Sequence, residues 1–319
     1  MKTYITPEEY NRQITATVAP GIQAANTAFS AVRHQSLTSA QWLELLKLLF
    51  PVIAPLAWAA SKIARDFYDS QRESAVPGVP VQPVDLIPLS FDRFVRDMEP
   101  VRKTVEQPDK DIGQAVLRVA RTIENNARFT MMKAVESPDE ALDEFTEDPR
   151  PIDEHDDEED YDPIIYDPDE EFVIEEAPER EVRRAATQVA HPTRLVKGWA
   201  RVPTGRETCG FCWMLASRGP IYKSAGGAGG KLGDSMMMQL HASDEVSSEN
   251  MNQWHAGCDC KVVPVFKQDS WPGKEKYEAA WQLWQDVVWK GKHYGKDAIN
   301  AYRRAVESGE LDELLLKAA

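Results

Sequence analysis

The stretch "TCGFCWMLASRGP", Thr208 to Pro220, carries two of the chain's four cysteines, and "HAGCDCKVVPVF", His255 to Phe266, carries the other two. Cys209 and Cys212 stand at the Cys-x-x-Cys spacing that zinc sites share with thiol redox enzymes. The second cluster adds His255, Cys258 and Cys260. Zinc takes four thiolate or imidazole ligands in a tetrahedron, and two short chelating clusters joined by a loop supply that geometry. Five donors compete here for four places. Either four sulfurs bind with His255 nearby, or His255 replaces one of them. In a strand, Cys258 and Cys260 would share a face, so both could reach one ion. Reduced core thiols, a conditional disulfide, a thiol nucleophile and a redox pair are the alternatives. The redox reading leaves the second cluster without a role, so structural zinc is the expectation.

Moving outward, "TRLVKGWARVPTG" (Thr193–Gly205) reads as a helix end followed by a strand, and "DCKVVPVF" reads as a second, valine-rich strand. The intervening "SAGGAGGKLGDSMMMQL" contains "GGAGGK", a weak echo of a phosphate loop. Ala225 stands where the first glycine belongs, and Leu232 replaces the Ser or Thr that touches magnesium. A loop is the better reading. Ser217, Ser224 and His241 do not make a hydrolase set without a G-x-S-x-G turn, and such serines are expected to face solvent. Arg201, Arg206 and Arg218 crowd the first cysteine pair and read as solvated surface, with no aromatic platform for nucleic acid.

The net charge of −15 is very unevenly spread. Between Glu136 and Glu181 stand about 23 acidic and about 2 basic residues, roughly −21, which leaves about +6 for the rest. Dense like charge with interspersed proline opposes compaction, so this segment reads as a disordered linker, with docking to a basic partner as the functional alternative. His155 lies inside it without the spacing of a calcium loop. The basic balance of residues 182–266 leaves contact with nucleic acid open, viral DNA being the case if the chain belongs to a virus.

The flanks read as helical. "TPEE" offers Thr6 as cap, Pro7 at the first position and Glu9 as box partner; "TSAQ" repeats the pattern with Thr38 and Gln41. The run "LLFPVIAPLAWAA", Leu48 to Ala60, is shorter than the ~20 apolar residues of a membrane span and holds Pro51 and Pro55, so a buried, proline-kinked helix pair is expected. Further helices are expected near Phe91–Val101 and Ile112–Val135, with Val116, Val119 and Ile123 on a core face. From Lys274 the chain turns helical again, with Trp281, Trp284 and Val288 as a packing face. No export signal is visible at the start "MKTYITPEEYNRQI", so the cysteines are expected in a reducing compartment.

"WARVPTGRETCGFCWMLASRGPIY", followed by "HAGCDCKVVPVF", resembles the MuF-like minor capsid (head morphogenesis) proteins of tailed bacteriophages, especially the actinobacteriophage branch. The cysteine and histidine positions match that pattern, and Trp199, Arg218, Gly219, Pro220 and Pro264 look like family positions. "SKIARDFYDSQR" is similar to a helix of the same branch. The likeness is strong over about Leu195–Phe266, weaker over Ile53–Arg72, and absent in the acidic segment. It implies a virion or procapsid component, assembled in the host cytoplasm, that associates with portal, scaffold and major capsid proteins and affects DNA packaging or ejection. Proteins of this branch also carry the label of capsid maturation protease, although no protease motif is visible. The organisation expected is therefore α+β: an N-terminal helical region (1–135), an acidic linker (136–181), a zinc-stapled MuF-like Cys/His core (182–268) and a C-terminal helical region (269–319). A membrane role is not expected.

Overall fold

Capping residues set where the long helices begin. Helix α1 (Pro7–Ala31) starts at Thr6, whose hydroxyl accepts the Glu9 amide at 3.1 Å. Helix α2 (Ser39–Ala75) starts at Thr38 with a reciprocal box: the Gln41 amide donates to Thr38 Oγ1 at 3.3 Å, and the Thr38 amide donates to Gln41 Oε1 at 2.8 Å. Helices α3 (Phe91–Glu106) and α4 (Gly113–Glu136) complete an N-terminal bundle. This computed structural model describes residues 4–78, 85–106, 112–136, 196–205, 208–222, 228, 260–267 and 269–318. The acidic stretch beyond Glu136, His155 included, lies outside them.

Helix α2 departs from expectation. It is one continuous helix through Pro51 and Pro55, not a pair of helices. Both prolines are exposed, so the lost backbone bonds fall on the solvent side, where water replaces the missing donors. Continuity also changes the length argument. By length and composition α2 now qualifies as a candidate membrane span, and only a third of its most apolar stretch is buried. The buried face runs through Leu46, Leu49, Ile53, Ala57, Ala60 and Ala64. Its alanines let α1 and α4 approach closely, and Val119 and Ile123 of α4 are fully buried, with Val116 beside them at 9% exposure.

A polar knot locks the bundle. The fully buried Asn126 side chain donates to the Ala57 carbonyl (3.1 Å) and Ser61 Oγ (2.6 Å) of α2 and to the Ile87 carbonyl (2.9 Å), and accepts from Arg93 of α3. One amide thus ties three helices and the segment entering α3. A buried amide is tolerated only when satisfied in this way.

Beyond the bundle come β1 (Gly198–Pro203), α5 (Gly210–Ala216) and β2 (Cys260–Val265). The strands pair antiparallel, in register from Gly198 with Val265 to Pro203 with Cys260. Helix α6 (Lys274–Trp284) runs into a π-helical turn over Gln285–Trp289, followed by α7 (Gly295–Glu307) and α8 (Glu310–Ala318). The described chain is thus mostly helical with one small antiparallel sheet, which agrees with an α+β class. The helix end expected before β1 lies outside the described residues.

Two hydrophobic clusters organise these parts. The first joins the bundle to both strands and Trp271, with Tyr68 of α2 against Phe266 at a ring separation of 5.8 Å. The second packs α5 against α6–α8. The tryptophan face expected there is only partly kept. Trp284 and Val288 join the second cluster, while Trp281 packs edge-on against Trp289 at 4.9 Å.

Candidate metal centre and its scaffold

Cys209 is the N-cap of α5, and its sulfur accepts the amide of Cys212 at 3.4 Å. The Cys-x-x-Cys spacing therefore becomes one turn of helix, with both sulfurs on one side. Cys260 opens β2 opposite Pro203. Together Cys209, Cys212 and Cys260, with Val262, form one contact cluster, in which Cys212 and Cys260 are 1% and 0% exposed. Two clusters distant in sequence thus meet in one patch. Among the described residues no set of three or more His, Cys, Asp and Glu side chains is grouped as a metal site by itself. His255 and Cys258, the remaining expected donors, lie outside the described residues. The patch presents three soft sulfurs from a helix start and a strand start, the donor type that zinc takes when four such ligands converge.

The scaffold around the patch uses residues from the two stretches that flank the cysteines in sequence. Trp199 is 1% exposed and faces Pro264 across the sheet. Its amide donates away from β2, to the Tyr222 carbonyl at 2.8 Å. The Trp199–Pro264 pair is therefore not a hydrogen-bonded one, and the donor that proline lacks is not needed by the ladder. Gly198 passes so close to Pro220 that a Cβ would collide with its carbonyl oxygen. Gly219 has a φ of +68°, and a Cβ there would stand 2.7 Å from the Tyr277 ring. The "RGP" turn is thus pinned between β1 and α6. Neither Tyr222 nor Tyr277 is singled out by sequence reasoning; the close-approach glycines beside them are the only signal.

Two sequence expectations are corrected here. Arg201 is not solvated surface: it is 2% exposed and donates to the Ala228 carbonyl. Every residue of β1 is buried, so alternation does not send this guanidinium to water. Ser217 is likewise buried, and its hydroxyl donates to the Met214 carbonyl at 2.7 Å, closing the last turn of α5. Arg218 is half-buried. Arg206, Ser224, Lys231 and His241 lie outside the described residues.

A second tie anchors the sheet. Lys276 of α6 donates to the Pro203 carbonyl at 2.6 Å and to Glu8 of α1 at 2.7 Å. Burial raises the Glu8 carboxyl, but the hydrogen bond and charge of Lys276 outweigh it and hold the group below its ordinary value.

Residues 166–287, which contain the whole cysteine patch, match the VG15 protein family. The chain is 33% identical to the Gene 15 protein of Mycobacterium phage D29, over 93% of this chain and 96% of that protein. It is 32% identical to the Gene 15 protein of Mycobacterium phage L5, over 96% and 97% of the two chains. No solved structure matches significantly.

Proposed function

The chain belongs to the family of mycobacteriophage Gene 15 proteins, and from that premise we propose that it is a minor structural protein of the phage head, acting in head morphogenesis with portal, scaffold and major capsid proteins. The supporting observation is how the MuF-like signature is used. Trp199 faces Pro264 across the sheet, Gly219 lies against Tyr277 of α6, and Cys209, Cys212 and Cys260 pack together with Val262, which builds an interaction module. A protein that carries out assembly by binding needs that kind of module more than an open cleft. Mass spectrometry of purified procapsids and mature virions tests the reading: the protein is expected in one or both at few copies, and absence from both overturns it.

The cysteine patch in this proposal holds structural zinc, with Cys209, Cys212 and Cys260 as donors and His255 or Cys258 completing the set. Bound zinc would supply folding free energy to a module with only two short strands. The reduced, purified chain is expected to carry about one zinc per molecule and to melt at lower temperature after chelation. A metal-free protein whose melting is indifferent to chelator sinks this part. The alternative role as a capsid maturation protease would need a cysteine nucleophile paired with His255. Complete burial of Cys260 weighs against that cysteine, because a nucleophile must reach its peptide.

A further inference from the structure

We propose that the outward face of α2 is a self-association surface, on which a second copy of this chain packs its own α2 antiparallel. Glu44, Leu48, Pro51, Pro55, Trp58 and Lys62 recur at alternating spacings of four and three, so they line one face of the helix, and all six are exposed. Leu48 is 76% and Trp58 46% exposed, with Val52 beside the seam at 42%. The opposite face of the same helix is the one buried in the bundle. Helix α2 is therefore apolar on two sides, and the fold of one chain covers only one of them. A helix of that kind is normally buried all round.

The ends of the seam identify its occupant. It opens on a carboxylate and closes on an ammonium, about 27 Å apart at the helical rise. An antiparallel pair with its two-fold axis at Ile53 sets Glu44 against the second copy's Lys62, Leu48 against Trp58, and Pro51 against Pro55, each twice. A parallel pair would set like charges together at both ends, which costs affinity. The antiparallel pair also brings the Trp58 indole N–H beside the Lys47 carbonyl, whose helical donor Pro51 removes. A second copy of the chain meets both the charges and the orphaned carbonyls.

Light scattering and sedimentation of the full chain at ~1–100 µM test this. A dimer is expected. Leu48→Glu should make it monomeric while leaving helix content and melting of the monomer unchanged, because that side chain contributes nothing to the bundle. Glu44→Lys and Lys62→Glu should each weaken the dimer about tenfold, since two ion pairs become two repulsions. The double reversal should restore wild-type affinity. Lys47, which pairs with Glu44 at 2.7 Å, stays in place in every variant. A monomer at all concentrations, a dimer indifferent to Leu48→Glu, or a double reversal without rescue overturns the proposal. Binding of a monomer to anionic vesicles that is lost with Leu48→Glu also overturns it, in favour of lipid.

Discussion

Helix α2 runs for 37 residues in the N-terminal bundle, whereas α5, α6, α7 and α8 around the second core have 7, 11, 13 and 9. Isolated helices below ~12–15 residues are marginal in water. The short set therefore depends more heavily on tertiary ties to its neighbours. Gly210 lets the start of α5 lie against Arg303 of α7, and the Tyr302 hydroxyl donates to the Ala280 carbonyl at 3.0 Å. The bundle instead concentrates its polar groups inside, at Asn126. Length with a few caps is enough for a helix that packs along its whole face. A short helix takes its stability from whatever crosses to its neighbour.

That contrast can be broken at several points. The largest effect is expected from Trp199→Ala, which empties a fully buried site joining the sheet to the first core. A loss of about 3–5 kcal/mol should appear in denaturant unfolding, with hydrogen exchange rising in both strands. Asn126→Ala comes next, at about 2–3 kcal/mol, because it leaves the Arg93 guanidinium and the Ile87 carbonyl buried without this partner. Its signature is a fall in protection across α2, α3 and α4 together; a loss confined to α4 would contradict the role of a knot. Tyr302→Phe should cost about 1 kcal/mol, with faster exchange in α6 and α7 and none in α2. An equal response in the bundle would show that the two cores melt as one unit.

The smallest expected effect is electrostatic. Folding lowers the Glu8 carboxyl below its ordinary value, so its contribution is present above the unfolded carboxylate range. It is lost as pH falls through that range and then through the lower folded value. Half of the Glu8 side chain is exposed, so solvent screening keeps the contribution under about 1 kcal/mol. Glu8→Gln should flatten the acid limb of the stability curve by that amount and leave neutral stability slightly reduced. An unchanged acid limb would mean that the Lys276 bridge between α1 and α6 carries no free energy.

Helix starts were legible because capping is local: Thr6 and Thr38 act within four residues of their partners. The core face of α4 was legible because Val116, Val119 and Ile123 repeat at helical spacing. The valine-rich strand and its partner were legible in composition, and their register then followed from the fold. The tryptophan face was half legible: Trp284 and Val288 pack on the second core as their spacing implies, whereas Trp281 meets Trp289, an aromatic contact that spacing does not specify. Arg201 and Ser217 were misread because their burial comes from segments remote in sequence. The exposed second face of α2 was hidden for the opposite reason. A run of apolar residues around two prolines looks the same whether both faces are covered or only one.

The sequence by itself determined the helical character of both ends, the strand pair, and the two cysteine clusters whose pattern resembles the MuF-like proteins. Those features depend on neighbours within a turn of helix or a few strand positions, where the chain's own geometry decides the outcome. Only the tertiary structure decided that Cys209, Cys212 and Cys260 meet in one patch and that α2 continues unbroken through its prolines. It alone decided that Asn126 bonds to three separate segments, because each of these results depends on which surfaces distant parts of the chain present to one another.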